Sequence, residues 1–238
     1  MARRSVWPMC GRFAMDSTTD ELIREFVAAG GRAQDWAPDF SIAPTDSAPI
    51  VRERMRDGEP EREIEVASWG FTPSWSKGKG ASPINARLET VASNGLFRGA
   101  FAKQRAIVPM RGYYEWEARA DGKQPWFVHG EQPILAAAGL YAARREGDER
   151  RISFAIITRE ARDSSGEVHD RMPVFLTPDI RDDWLSPEPL ASAQELLATL
   201  DRVSVAIAAT ITAYPVDRRV NDSRTVEKRD PRVLERIG

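Results

Sequence analysis

Hydrophobic and polar positions along this chain mark one helix, a long series of strands, two more helices and a late strand. Over residues 18–29, TTDELIREFVAA, Leu22, Ile23, Phe26 and Val27 fall on one helical stripe behind Asp16, Ser17 and Thr18, which supply a cap. From there to about residue 160 the pattern changes to short apolar or alternating runs. EREIEVASW sets Ile64 and Val66 between glutamates, and RAIVPM, YYEWEA, QPWFVHG, PILAAAGLYA and RRISFAIIT follow at short intervals. Asp121-Gly122-Lys123 and Glu146-Gly147-Asp148 predict hairpin turns between such runs. Strands joined by hairpins predict a mainly antiparallel sheet curled towards a barrel, with a few flanking helices, an α+β fold. After RMPVFLT at 171–177, PDIRDDWL opens on a proline suited to a first helical turn, and Ser192 with Glu195 has capping-box spacing before LLATL. Two short helices are expected there. SVAIAATITAYPV at 204–216 is rich in β-branched residues and predicts a strand that closes the sheet late in the chain. Without repeat, low-complexity tract or linker, residues 9–238 are expected to form one domain, with residues 1–8 and the charged tail RTVEKRDPRVLERIG loose.

Composition narrows the function classes. Cys10 is the only cysteine, so no intramolecular disulfide and no thiol-rich zinc site can form. The two histidines, His129 and His169, lie forty residues apart without ligand spacing, and no metal or other cofactor is expected. The longest apolar run, ILAAAGLYAA at 134–143, is too short for a bilayer, and MARRSVWP lacks the apolar segment of a secretory signal. A soluble cytoplasmic protein is expected, nucleoid-associated if DNA is its substrate. The net charge of −2 argues against coating nucleic acid by bulk charge, although a local basic groove fits within such a total. Most arginines are expected to be partners of the many acidic residues.

Four places interrupt apolar strands with polar groups or sit in Pro/Gly-punctuated loops. MCGRF supplies Cys10, Gly11 and Arg12. SPINARLET supplies Asn85, Arg87 and Glu89 behind the Trp- and Gly-rich FTPSWSKGKG, which holds Trp75. YYEWEA sets Glu115 between Tyr114 and Trp116, and alternation points it away from both, to solvent or into a cavity. VHDRMPVFL places His169, Asp170 and Arg171 just before a strand. The residues alone leave Cys10 open between a buried small hydrophobe and a nucleophile, and His169 between a loop hydrogen bond and chemistry. His129, in FVHGE, is assigned to a hairpin end.

MCGRF at 9–13, IAPT at 42–45, WGFTPSW at 69–75, INARLET at 84–90, IVPMRGYYEW at 107–116, HDRMPV at 169–174 and RRVN at 218–221 together resemble, in that order, the SRAP (SOS response associated peptidase) family. Its members cross-link covalently to abasic sites in single-stranded DNA. The resemblance implies Cys10 as nucleophile, Glu115 as the group that moves protons at the amine and the departing water, and His169 at the sugar oxygen to favour ring opening. It implies Asn85 holding the sugar or the terminal amine, and Gly11, Arg12, Pro44, Trp75, Arg87 and Arg171 along the DNA. It also implies single-stranded DNA carrying abasic sites as the partner, and a monomer is expected.

An amino-terminal cysteine suits that chemistry, because an open abasic sugar presents an aldehyde and aldehydes are trapped by 1,2-aminothiols. The α-amine forms a Schiff base and the adjacent thiol closes on it to a thiazolidine. An α-amine titrates near ~7.7–8.0, so roughly a tenth is free base at neutral pH. Removing whatever precedes Cys10 would expose the amine, the rationale for a self-processing peptidase. Translation from Met9 is expected, with residues 1–8 absent from the mature protein. Departures from the family pattern are Ser41, where asparagine is usual, and Met110-Arg111 before GYYEW. The competing readings are a cysteine peptidase using Cys10, His169 and Glu115 on peptides, and a non-catalytic single-strand-binding barrel.

Overall fold

The computed structural model describes residues 11–26, 36–76, 80, 82–162 and 170–238; Cys10 and His169 lie outside this set. The described chain forms twelve strands and four α-helices. β3 (Ser47–Arg56), β4 (Glu59–Trp69), β6 (Arg105–Met110), β9 (Leu135–Glu146) and β10 (Glu149–Glu160) close a five-membered ring, because β10 pairs with β4 on one edge and β9 on the other. The ring is the barrel that the hairpin pattern predicts. Its closure is tight at Gly139, where a Cβ would lie 2.8 Å from Val108 Cγ2 and 3.3 Å from the Ala155 carbonyl. The alanines of β9 serve the same end, since three strands meet there with little room.

A second, five-stranded antiparallel sheet runs β12 (Thr212–Pro215), β8 (Gly122–His129), β7 (Gly112–Arg119), β1 (Phe13–Met15), β2 (Asp39–Ile42). One face packs on the barrel: the Phe13 ring meets Trp69 edge-on at 5.1 Å, Trp69 stacks on Phe154 at 6.3 Å, and Tyr113 lies 6.2 Å from Phe175. Gly112 opens β7 under constraint, for a Cβ there would fall 2.4 Å from the Val128 carbonyl.

The other face is covered by the C-terminal segment. Val220, Val226 and Val233 are buried against Tyr114 and Phe127, and Tyr214 Oη donates to the Leu234 carbonyl at 2.9 Å. The tail that its charge marks as loose is therefore packed. Its valines, spaced among charges, give no periodic signal, and only the exposed apolar face of the sheet supplies their burial.

The helices show where local pattern succeeds and fails. α1 (Thr19–Phe26) begins in a reciprocal cap, Thr18 N–H donating to Glu21 Oε2 at 2.7 Å and Glu21 N–H to Thr18 Oγ1 at 3.4 Å. Val27 and the expected last turn lie outside the described residues. α2 (Arg98–Lys103) and α3 (Arg181–Leu185) are short, and α3 follows a 3₁₀ turn at Pro178–Ile180 as the proline suggests. α4 (Ala193–Ala208) is capped by Ser192, but it continues through 204–208, where a strand is expected. Leu200, Val203, Ser204 and Ala208 form a buried stripe, and Ser204 Oγ accepts from the Phe175 N–H at 3.2 Å, so docking overrides β-propensity. Only β12 remains of the late strand, and it extends the second sheet at an edge. β3, whose alternation is hidden by charges, pairs with β4 over ten residues in an ion-pair ladder that includes Arg54–Glu63 at 2.8 Å and Arg62–Glu53 at 2.9 Å. His129 ends β8, but the chain then crosses to the barrel without a hairpin; its Nδ1 donates to the Gly130 carbonyl at 3.0 Å and its Nε2 faces Thr212 Oγ1 at 3.2 Å.

Candidate active site

β5 (Asn85–Arg87) is a three-residue strand, too short to hold itself. It lies parallel to β10, with Asn85 opposite Ile156 and Arg87 opposite Thr158, and the Trp69 indole N–H donates to the Ile84 carbonyl at 2.9 Å. Ile156 N–H takes the same carbonyl at 2.9 Å, and Leu88 N–H donates to Thr158 O at 2.8 Å. Beyond β9, the opposite edge of β10 carries β11 (Arg171–Pro173), with Arg171 opposite Glu160. The end of β10 thus gathers Asn85, Arg87, Asp170 and Arg171 from segments almost ninety residues apart. Arg171 is the first residue of β11 and not of the loop before it.

Arg171 is buried and held in a fork: Nη1 and Nη2 donate to the two Glu89 carboxylate oxygens at 2.6 and 3.0 Å, and Nη2 also donates to the Thr158 carbonyl at 2.6 Å. Burial is the largest single influence on the Glu89 carboxyl and raises it, but the Arg171 hydrogen bond, backbone hydrogen bonds and the Arg171 charge together outweigh it and hold it below its ordinary value. A depressed folded value stabilises the fold above the unfolded carboxylate value of ~4.3, and that contribution is lost as pH falls through the folded one. Half the Glu89 side chain is exposed, so screening keeps the effect to about 1 kcal/mol or less. Glu89→Gln is expected to lower the urea midpoint at neutral pH, with the gap from wild type shrinking in acid; a gap that persists in acid would exclude the ion pair as its cause. Glu89 is in a motif the sequence marks, yet nothing local shows that it grips Arg171.

Glu115 is in β7 opposite Trp126 and is 2% exposed, which decides between solvent and interior. It shares a face with Tyr113, the face that packs on the barrel, while Tyr114 and Trp116 look to the C-terminal segment. β1 runs antiparallel to β7 with Phe13 opposite Tyr113, and Tyr114 N–H donates to the Arg12 carbonyl at 2.9 Å. The segment that follows Cys10 therefore lies beside the buried carboxylate, with Arg12 level with Tyr114, one residue from Glu115. Gly11 is half-buried there.

Arg12 is buried, its Nη1 donating to Ser41 Oγ at 2.8 Å and to the Val220 carbonyl at 3.1 Å, with its guanidinium 5.7 Å from the Trp116 ring. Burial lowers its pKa against the attraction of nearby acidic groups. Trp116 Nε1 in turn donates to Asn221 Oδ1 at 2.8 Å, and Asn221 Nδ2 to the Lys123 carbonyl at 3.1 Å. The late RRVN stretch thus braces Arg12 and Trp116, a use the sequence signals only by the motif's recurrence in order. Pro44 is half-buried in a turn between β2 and β3, next to Thr45, whose φ of 75° is unusual for a β-branched residue. That turn is fixed by Thr45 N–H to the Trp69 carbonyl and Trp69 N–H to the Asp46 carbonyl, both 2.8 Å. Trp75 sits in a 3₁₀ turn, Ser74–Ser76, and is 67% exposed, more than a half-buried loop tryptophan would be; Arg87 is also exposed.

Among the described residues no three side chains are grouped to hold a metal ion, and no helix is long and apolar enough to cross a membrane. A family model described as SOS response associated peptidase matches residues 9–223. The chain is 31% identical over 226 residues to "Abasic site processing protein YoaM" of Bacillus subtilis, covering 91% of this chain and 94% of that one. It is 30% identical to "Abasic site processing protein YedK" of Escherichia coli, over 76% and 81% of the two chains, and 28% identical to "Abasic site processing protein HMCES" of Gallus gallus, over 91% and 75%. A crystal structure from Bacteroides thetaiotaomicron superposes with a TM-score of 0.76 at 22% identity, covering 96% of this chain and 100% of that one. A phage-related protein of Bordetella bronchiseptica gives 0.66 at 28% identity, over 87% and 94%.

Proposed function

The chain belongs to the SOS response associated peptidase family, and from that membership we propose that it processes abasic sites in single-stranded DNA by capturing them covalently through Cys10. The relatives' names support the substrate. The observation that carries the chemistry is the burial of Glu115 on the strand that binds the backbone just after Cys10.

The steps balance without a cofactor. The α-amine of Cys10 adds to the C1′ aldehyde of the open sugar, and the carbinolamine loses water to give an imine. The thiol then adds across the C=N bond, its sulfur bonding to carbon and its proton passing to nitrogen, so the thiazolidine forms with net loss of one water. Glu115 accepts and returns the protons of the amine and the leaving water, and a carboxylate screened from solvent is suited to that exchange. His169 assists opening of the sugar ring, and Asn85 orients the sugar or the amine. Arg87, exposed at the end of β5, meets a phosphate, and Trp75 stacks on a neighbouring base. Arg12 and Arg171, both already engaged inside the protein, support the DNA path from beneath and present to a phosphate only what their internal bonds leave. Self-processing ahead of Cys10 belongs to the same reading, since it would release the amine.

Protein begun at Met9 is expected to shift a single-stranded oligonucleotide on a denaturing gel only when the strand contains an abasic site. Intact mass of the adduct should equal protein plus DNA less one water. Binding of intact strands without any adduct would favour a non-catalytic barrel, and cleavage of added peptides a peptidase.

A further inference from the structure

The two halves of α4 present different outer faces. Glu195, Asp201 and Arg202 keep the first part charged towards solvent, but from Val203 to Val216 the chain carries no charged residue. Val203, Ser204 and Ala208 are buried, yet Val205 is 43% exposed, and Ala206 and Ala209 are exposed as well. A helix that is apolar on both faces calls for a cover on both. The uncovered face borders a hollow of about 350 Å³, walled by Ile134, Leu135 and Ala136 where β9 begins, by Leu176 after β11, and by Ala206 and Ile207. A second hollow, of about 440 Å³, lies against α1 and shares Glu25, Pro133 and Ile134 with the first. The two form one cleft between α1 and α4.

The rim of the cleft is acidic. Glu25 and Glu131 line the first hollow and Asp16 and Glu21 the second, against two cations, Arg24 and Arg181. Arg181 is engaged by Glu25 at 2.9 Å and lies 4.9 Å from the Phe26 ring, and Arg24 Nε donates to the Asp20 carbonyl at 3.2 Å. Asp16 has Arg111 at 3.6 Å, whereas Glu131 is exposed and makes no ion pair among the described residues. Such a rim repels a polyanion and attracts a cation with an apolar body. The cleft is separate from the capture site: Asp16 is four residues along β1 from Arg12 and Leu176 five past Arg171, on the order of 13 to 17 Å at strand spacing.

We infer that this cleft docks a partner protein through a short basic segment, with one large apolar side chain seated between Ile134 and Ala206 and its lysines or arginines on Glu131 and Glu21. The inference goes beyond the abasic-site reading and does not depend on it. Charge complementarity commits the occupant to a cationic peptide, and the apolar walls require an anchor that a simple polyamine lacks. The anchor supplies the affinity, while the carboxylates orient the segment and discriminate against acidic ones. Because the rim excludes a polyanion, the partner and a bound strand occupy the protein together.

The test is fluorescence anisotropy of the full chain with a labelled synthetic peptide in which lysines flank two leucines and a tryptophan. Two controls replace the lysines by glutamates, or the leucines and tryptophan by serines; neither is expected to bind. Ala206→Arg, which fills the hollow and adds a like charge, should raise the Kd of the first peptide at least about tenfold. Glu131→Gln should raise it about threefold and weaken its salt dependence. Both positions are exposed, so the urea midpoint should be unchanged in either variant. In methyl spectra of the parent, Ile134 and Ile207 should shift with the peptide while Ile50 and Ile107, in the barrel core, stay in place. Equal binding of all three peptides, or of the peptide to parent and Ala206→Arg, would overturn the docking site, as would unmoved Ile134 and Ile207. A dimer of the parent in analytical ultracentrifugation that Ala206→Arg dissociates would overturn it too, since a second copy would then be the cover.

Discussion

Cys10→Ala, in protein begun at Met9, abolishes the adduct with abasic single-stranded DNA. Without reductant the loss is complete, because alanine keeps the amine but has no thiol to close the ring, and the imine it forms is hydrolysed during denaturation. Cys10→Ser separates the two steps. Its amine still forms the imine, so borohydride traps an adduct, but without the thiol the untreated product is hydrolysed back during denaturation. Protein that retains residues 1–8 is predicted to behave as a third case, with no imine and nothing to trap, since an amide nitrogen does not add to an aldehyde. Denaturing electrophoresis with and without reduction reads all three. A stable adduct from the alanine variant without reductant, or from protein whose Cys10 nitrogen remains in a peptide bond, would overturn the capture chemistry.

The largest stability effect is expected at Arg105, which takes no part in the proposed chemistry. Its guanidinium is buried and donates to four main-chain carbonyls: Trp184 at 2.6 Å, Phe101 at 3.1 Å, Ala102 at 2.8 Å and Ser186. These are the carbonyls at the ends of α2 and α3, which the short helices leave without internal partners. Burial pulls the Arg105 pKa down, yet an arginine so placed stays charged and serves as a shared C-terminal cap for two helices. Arg105→Met keeps the volume and removes every donor, leaving buried acceptors unsatisfied at a cost of about 3–5 kcal/mol. Urea unfolding should show a lower midpoint with an unchanged slope. A loss under ~1 kcal/mol would show that those carbonyls find other donors.

Much of this molecule is legible locally. The helix over 18–26, the hairpin turns at 121–123 and 146–148, the Ser192 cap and the curled antiparallel sheet follow from caps, turn residues and periodicity, which act within a few residues. The residues quoted from INARLET, YYEW and HDRMPV also converge, as far as they are described, on the end of β10 and the strand beside Arg12.

Sequence by itself determined the chemistry on offer: one thiol placed after a methionine, a glutamate in an aromatic strand, and an ordered set of motifs. Tertiary structure alone decided which charges are spent inside the fold. Arg12 and Arg171 look like Arg87 and Arg98 in one dimension, but Ser41, Val220 and Glu89 engage the first two from positions 29, 208 and 82 residues away. It also decided that 204–208 is helix and that the charged tail is packed, because burial against distant surfaces outweighs local propensity whenever the apolar face it covers is contributed by another part of the chain.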